Sequence, residues 1–127
     1  MMKTVFILED EAGIREVLEI LFESENYLVS TFADIKEFNS RNLTIIPDVY
    51  ILDVMLPDGI GTDVCNQLKN HPATTHVPVI MMSAHAKALE LEKTCNPNAF
   101  ISKPFDLSEI LTKVENLTSE ANLGLVV

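Results

Sequence analysis

Short apolar runs alternate with amphipathic segments along the whole chain. Five runs are typical of strands, at residues 5–8, 27–31, 49–52, 77–82 and 99–102. The segments that follow them carry apolar side chains at helical spacing, at residues 14–22, 34–41, 64–68, 86–94 and 110–117. The runs at 49–52 and 77–82 are apolar at almost every position, as strands covered on both faces are. This order predicts an α/β fold, a doubly wound parallel sheet with helices on both sides.

Turn and cap residues mark several boundaries between these segments. Asn26 can adopt the left-handed conformation that ends the first helix. Asp58-Gly59 is typical of a turn, and residues 96–98, Asn-Pro-Asn, end the fourth helix. Residues 106–109 have the form of a capping box, which predicts the start of the last helix.

Length and charge narrow the class of protein. The chain has 127 residues, which suits one compact domain, predicted over residues 1–122 with a C-terminal tail at 123–127. Nine Lys and Arg against 19 Asp and Glu give a net charge of −10, which disfavours direct binding of nucleic acid or of an anionic membrane. No apolar run approaches the ~20 residues of a membrane span. We therefore expect a cytoplasmic protein.

Neither the cysteines nor the histidines have the spacing of a metal or redox site. Cys65 and Cys95 lie in segments of helical character and form no CxxC pair, so we expect buried, reduced thiols. His71, His76 and His85 are expected at the surface.

Polar residues follow four of the five predicted strands. They are Glu9-Asp10, Asp53, Ser83 and Lys103. The carboxyl ends of parallel strands share one edge of the sheet, which is where ligands bind in such folds. Carboxylates gathered there repel one another unless a cation lies among them, and hard oxygen ligands suit Mg²⁺. The set predicts a phosphoryl-transfer site with Asp53 as nucleophile, Ser83 as hydrogen-bond donor and Lys103 as point charge.

Most of these residues also have an ordinary structural interpretation. Asp10 or Ser83 could cap a helix and Lys103 could be a solvated surface residue, just as Phe100, in the last predicted strand, could simply belong to the core. Asp53 is the exception, because a carboxylate that closes a buried central strand has no evident structural need.

Four segments together resemble the receiver domains of two-component response regulators, the CheY-like superfamily. They are Glu9-Asp10 and residues 51–59, 82–84 and 102–105. The resemblance covers almost the whole chain and implies a flavodoxin-like (βα)5 three-layer sandwich with strand order 2-1-3-4-5. It also implies a single-domain phosphorelay protein. A sensor histidine kinase or histidine phosphotransfer protein would phosphorylate Asp53 in a Mg²⁺-dependent reaction, and the altered conformation would control partner binding.

The resemblance assigns a metal role to four residues. Asp10, Asp53 and the backbone carbonyl of Met55 would bind Mg²⁺ directly, and Glu9 would bind it through water. Mn²⁺ is expected to substitute for Mg²⁺.

Further residues would contact the phosphoryl group or respond to it. Ser83 and Lys103 would contact its oxygens, and Lys103-Pro104 would be a cis peptide. Phe100 would be the aromatic switch residue, coupled to Ser83.

Two rival functions stay open at this point. A phosphatase of the haloacid-dehalogenase type also uses an aspartate nucleophile and magnesium, but needs a second aspartate two positions later, where this chain has Met55. We therefore expect no enzyme turnover beyond self-directed phosphotransfer and slow autodephosphorylation. A pseudo-receiver that only binds partners is the second rival, which the intact Asp53 and Lys103 disfavour.

The interval between Ser83 and Lys103 departs from the family pattern. It is slightly short, so we expect a short or distorted fourth helix. That helix belongs to the face through which the family dimerises, which leaves a monomer or a weak phosphorylation-dependent dimer as the expectation. The chain could be a single-domain regulator or an excised receiver of a larger protein.

Overall fold

A five-stranded parallel sheet forms the centre of the protein. The structure is a computed structural model that describes residues 2–84 and 95–119. The strands are β1 (Thr4–Leu8), β2 (Leu28–Phe32), β3 (Val49–Asp53), β6 (Val79–Ser83) and β7 (Ala99–Ser102). Their order in the sheet is β2-β1-β3-β6-β7 and every neighbouring pair is parallel. This is the predicted 2-1-3-4-5 order, and the doubly wound α/β fold is confirmed.

Four helices and one small hairpin complete the described residues. The helices are α1 (Ala12–Ser24), α2 (Ile35–Asn39), α3 (Gly61–Lys69) and α4 (Leu107–Thr118). The hairpin pairs β4 (Met55–Leu56) with β5 (Gly59–Ile60) in antiparallel fashion directly after β3. The predicted helix at 86–94, His85 and the predicted tail at 123–127 lie outside the described residues.

The two faces of the sheet have separate hydrophobic cores. Side chains alternate between the faces along each strand, so Val49 and Ile51 contact one core while Tyr50 and Leu52 contact the other. The helices α1 and α4 cover the first core, with buried residues Leu18, Phe22, Ile110 and Val114. The helices α2 and α3 cover the second, with buried residues Phe38, Val64, Cys65 and Leu68. We call these sides the α1/α4 face and the α2/α3 face.

Several boundaries differ from the sequence-based expectation by one to three residues, and for one of them the reason is local. β6 begins at Val79 rather than Val77, because Pro78 has no N–H to donate to a strand ladder; its carbonyl accepts from the N–H of Tyr50 at 3.0 Å. α2 ends at Asn39, and Asp34 is its N-cap residue.

Other local predictions had mixed outcomes. Asn26 has a φ of 67° after α1, so the left-handed helix end is confirmed. The pattern at 106–109 predicted the start of α4 correctly, since Asp106 is its N-cap residue, but the capping hydrogen bond of the Asp106 side chain is absent. Its backbone carbonyl accepts from the N–H of Glu109 at 3.0 Å instead. Cys65 and Cys95 are both buried and outside any disulfide, as expected.

Across residues 2–84 and 95–119, the helices are all too short or too polar to cross a membrane.

Candidate functional site

Three carboxylates converge at the carboxyl edge of the sheet. Glu9 and Asp10 directly follow β1, and Asp53 is the last residue of β3, the central strand. One oxygen from each carboxylate lies within 4.8 Å of one from each of the others. Glu9 is fully buried, Asp53 is 5% exposed and Asp10 faces solvent. The cluster is therefore open on the Asp10 side and closed beneath.

Lys103 connects the two buried carboxylates. Its Nζ donates to Glu9 Oε1 at 2.5 Å and to Asp53 Oδ2 at 3.0 Å. The Lys103 N–H donates to the carbonyl of Ser83 at 2.8 Å, which extends the ladder one residue past β7. Alternation along the strands directs Glu9, Asp53 and Lys103 to the α1/α4 face, so the contact follows from the register.

Burial and pairing act against each other in this network. Burial raises the pKa of Glu9; the hydrogen bond from Lys103 lowers it, but not enough to offset burial and the neighbouring Asp53. Burial alone would lower the pKa of Lys103, yet the hydrogen bonds to Glu9 and Asp53 leave that pKa raised overall. One ammonium group thus faces a surplus of negative charge, and a further cation would relieve it.

The donor set fits a hard divalent cation. Carboxylate oxygens at these separations are the ligands that Mg²⁺ prefers, and the exposed side of the cluster leaves room for water ligands. Met55 begins the hairpin two residues after Asp53, and its N–H lies 3.4 Å from Asp53 Oδ1. Asp10, Asp53 and the Met55 carbonyl are the groups that could hold such an ion, with Glu9 beneath them.

Asp10 does not cap α1. Glu11 occupies the N-cap position, and no side chain makes a capping hydrogen bond there. The acidic loop is held by other means: the Arg15 guanidinium donates from Nη1 to the carbonyl of Glu9 at 2.9 Å and to that of Asp10 at 3.3 Å. The sequence argument missed Arg15. The only sequence feature that pointed to it was its position: a basic residue in the first turn of a helix that comes directly after two acidic residues.

Gly61 is a second residue that the sequence argument missed. A Cβ at this position would overlap the backbone carbonyl of Asp53, so no larger residue fits without a shift of the main chain. The Gly61 N–H donates to the carbonyl of Val54 at 2.6 Å and closes the base of the hairpin. Gly61 thus packs directly against the main chain of Asp53 and Val54.

Ser83 and Phe100 lie on the α2/α3 face, away from the ion pairs. Ser83 is buried, one residue beyond Met82, the register partner of Asp53. Phe100 pairs in register with Met81 and packs, half-buried, against the core of that face. The peptide bond between Lys103 and Pro104 is cis. The site therefore has a charged side and a largely apolar side.

The family model and the related sequences that match this chain all belong to response regulators. A family model described as "Response regulator receiver domain" matches residues 5–115. The transcriptional regulatory protein CreB of Escherichia coli is 32% identical over 118 residues, which are 91% of this chain and 50% of CreB. The response regulator ArlR of Staphylococcus epidermidis is 31% identical over 115 residues, 89% of this chain and 51% of ArlR. The chain spans about half the length of the curated relatives it matches.

Solved structures show the same fold. A signal receiver domain of a histidine kinase from Syntrophus aciditrophicus superposes with a TM-score of 0.85 at 25% identity, covering 92% of this chain and 90% of that chain. The beryllofluoride-activated NtrC4 receiver domain dimer gives a TM-score of 0.81 at 26% identity, covering 94% and 98%. The chemotaxis response regulator CheY4 of Vibrio cholerae, at 21% identity and a TM-score of 0.84, covers 92% and 99% and supports the fold alone.

Proposed function

We propose, since this chain belongs to the response regulator receiver domain family, that Asp53 is its phosphoryl acceptor. The chain is a receiver domain of the two-component type, similar to CreB and ArlR over almost its whole length. One observation carries the assignment of Asp53. Asp53 is the last residue of the central strand and is 5% exposed; its carboxylate lies beside those of Glu9 and Asp10 and 3.0 Å from the Lys103 ammonium.

The proposed step transfers a phosphoryl group from a phosphohistidine to Asp53. An Asp53 oxygen attacks phosphorus, the P–N bond breaks, and the imidazole that leaves retains the bonding electron pair and takes up a proton. Lys103 would neutralise charge on the phosphoryl oxygens, which its contact with Asp53 Oδ2 supports, and Ser83 is the proposed hydrogen-bond donor on the other side.

A divalent cation is the second part of the proposal. Asp10, Asp53 and the Met55 carbonyl would bind Mg²⁺ directly, with Glu9 acting through water, and Mn²⁺ is expected to substitute. When bound, the ion supplies charge neutralisation among the carboxylates and polarises a phosphoryl oxygen. The cluster of Glu9, Asp10 and Asp53 oxygens supports this.

We propose a signalling domain rather than a turnover enzyme. A phosphatase of the haloacid-dehalogenase type, the rival with an aspartate nucleophile, needs a second aspartate two residues later as general acid and base. That residue here is Met55, whose thioether cannot carry a proton. The acyl phosphate should therefore persist, with only slow autodephosphorylation.

The proposed partners are proteins of the same signalling type. A histidine kinase or histidine phosphotransfer protein would supply the phosphoryl group, in the cytoplasm. The net charge of −10 opposes direct contact with nucleic acid or an anionic membrane. The NtrC4 receiver domain is a dimer in its beryllofluoride-activated form. By that likeness, we expect this chain to be a monomer or a weak dimer that phosphorylation strengthens.

Acetyl phosphate labelling tests the acceptor directly. With Mg²⁺, the wild type should gain one phosphoryl group by intact mass, and the gain should disappear with a chelator or in Asp53→Asn. Asp63→Asn, which removes an exposed carboxylate from the first turn of α3, is the matched control and should label normally. No gain in a folded wild type that binds Mg²⁺ would favour a pseudo-receiver that signals by binding alone.

A further inference from the structure

The turn of the β4–β5 hairpin is tied to the helix α2. The Asp58 carboxylate accepts from the N–H of Ile35 through Oδ1 at 2.9 Å and from the N–H of Lys36 through Oδ2 at 3.0 Å. Gly59 lies against the same helix, since a Cβ there would come within 2.7 Å of Ile35 Cδ1. The backbone N–H groups of Ile35 and Lys36 hold the pKa of Asp58 below its usual range, so the carboxylate is ionised at neutral pH.

The helix α2 has a cap of its own in addition to this link. Asp34 Oδ1 accepts from the N–H of Glu37 at 2.7 Å. The first N–H groups of a helix have no partner within the helix, and here two of them are satisfied by a residue from a different loop. The two hydrogen bonds of Asp58 join residues that are 23 and 22 positions apart in sequence, so they are tertiary contacts, whereas the hydrogen bond of Asp34 is local.

The other end of the hairpin is anchored at the candidate site. The Gly61 N–H donates to the Val54 carbonyl at 2.6 Å, and the Val54 N–H donates to the Met82 carbonyl at 2.9 Å. Met55 lies between this anchored base and the turn that Asp58 holds. The main chain at Met55 is therefore restrained from two directions.

We infer that Asp58 is a positioning residue for the cation site: it holds the hairpin that carries the Met55 carbonyl, and thereby sets the affinity of the acidic cluster for Mg²⁺. This inference rests on the proposed function, because it needs the Met55 carbonyl to be a ligand. Residues that orient a metal ligand from outside the ligand set commonly change affinity by about tenfold or more when they are removed. Asp58 is exposed, so its effect should lie at or below the low end of that range.

Calorimetric titration with Mg²⁺ measures the effect without phosphorylation. Asp58→Ala should raise the dissociation constant by about threefold to tenfold. Asp58→Asn should fall midway on a logarithmic scale, because its amide keeps one acceptor oxygen for one of the two N–H groups. It also serves as the variant to measure if Asp58→Ala does not fold.

Two matched variants separate positioning from other causes. Asp34→Ala weakens α2 without touching the hairpin, and Asp63→Asn removes one exposed negative charge near the site; both should bind Mg²⁺ within about twofold of wild type. In acetyl phosphate labelling, Asp58→Ala should need more Mg²⁺ for half-maximal rate yet approach the wild-type rate at saturation. Hydrogen exchange at the Ile35 and Lys36 amides should accelerate in Asp58→Ala.

Each alternative outcome has a distinct meaning. Faster exchange at Ile35 and Lys36 with an unchanged Mg²⁺ affinity would overturn the inference. Asp34→Ala matching Asp58→Ala would overturn it too, by tracing the effect to the stability of α2. A folded wild type that binds no Mg²⁺ would remove the proposed function and this inference together, whereas a normal wild type beside an unaltered Asp58→Ala removes this inference alone.

Discussion

The two faces of the sheet reach the candidate site with opposite chemistry. On the α1/α4 face, which we also call the ionic face, Glu9, Asp53 and Lys103 form a buried ionic network with contacts of 2.5 and 3.0 Å. On the α2/α3 face, which we also call the apolar face, Ser83 is buried and Phe100 packs against a core of aliphatic and aromatic side chains. A single residue step along a strand separates the two environments, because side chains alternate between faces.

The difference between the faces indicates that each has a separate part in the proposed function. The ionic face has its charges in place before any substrate arrives, and preorganised charge is what stabilises a phosphoryl group during transfer. The apolar face holds groups whose positions depend on packing, which suits a response that follows the transfer. In the proposed function, the transfer would take place on the α1/α4 face and the conformational response would begin on the α2/α3 face.

Lys103→Met should cause the largest change, because it breaks the ionic face. Removing one partner of a buried ion network leaves the Glu9 and Asp53 carboxylates facing each other, at an expected cost of about 3 kcal/mol of unfolding free energy in chelator. Mg²⁺ should recover about half of that loss, because the ion compensates the same carboxylates. Urea denaturation with and without Mg²⁺ measures both quantities.

Lys36→Met is the control for Lys103→Met, since Lys36 is exposed on α2 and only its backbone is bonded to Asp58. Its stability should stay within about 0.5 kcal/mol of wild type in either buffer. Equal stability of Lys103→Met and wild type in chelator would mean that the network contributes nothing to folding, and the contrast between the faces would lose its energetic basis.

The sequence predicted the edge of the sheet better than its faces. Asp53 and Lys103 could be found because buried strands end abruptly in polar residues, a signal carried by neighbours in the chain. Which face a side chain lies on depends on the register between the strands, and that register could not be derived from the sequence alone. Arg15, Gly61 and the Asp58 link were missed because each contacts backbone groups, and no side-chain pattern marks them.

The capping box at the start of α4 failed for a related reason. The pattern at residues 106–109 provides a carboxylate for the N–H of Glu109, but the Asp106 carbonyl occupies that N–H at 3.0 Å. The choice between a side-chain and a main-chain acceptor depends on the path of the preceding loop. That path is a tertiary property and is not encoded in the four residues.

Ser83→Ala sharpens the comparison on the apolar face, with an intermediate effect. Loss of one donor should slow acetyl phosphate labelling by about tenfold, less than is usual for such a donor because Lys103 remains. In wild type we predict that Phe100 moves inward as Ser83 shifts toward the phosphoryl group. NMR of the Phe100 ring should therefore register phosphorylation in wild type and not in Ser83→Ala.

Ser102→Ala provides the matched control, as Ser102 pairs in register with Ser83 but is exposed. It should label and shift like wild type. A Phe100 ring that does not respond in phosphorylated wild type would count against the switch. An unchanged ring response in Ser83→Ala would show instead that the movement of Phe100 depends on the charged residues of the ionic face and not on Ser83.

Cys65→Ala should give the smallest effect. It tests whether the side chains on the apolar face are fully shielded from solvent. Burial raises the pKa of the Cys65 thiol, and the adjacent Cys95 thiol adds to the shift. Since the folded pKa lies above the unfolded one, the thiol's contribution to stability is complete below the ordinary pKa and declines as pH rises above it. The difference in free energy of unfolding between wild type and Cys65→Ala should therefore shrink by about 1 kcal/mol between about pH 8 and about pH 9.5.

Val64→Ala is the matched control, since it changes a neighbouring buried residue that has no titrating group. Its loss of unfolding free energy should not vary with pH. A pH-independent difference for Cys65→Ala would mean that the thiol reaches solvent in the folded protein and that the α2/α3 face is less tightly closed than the α1/α4 face.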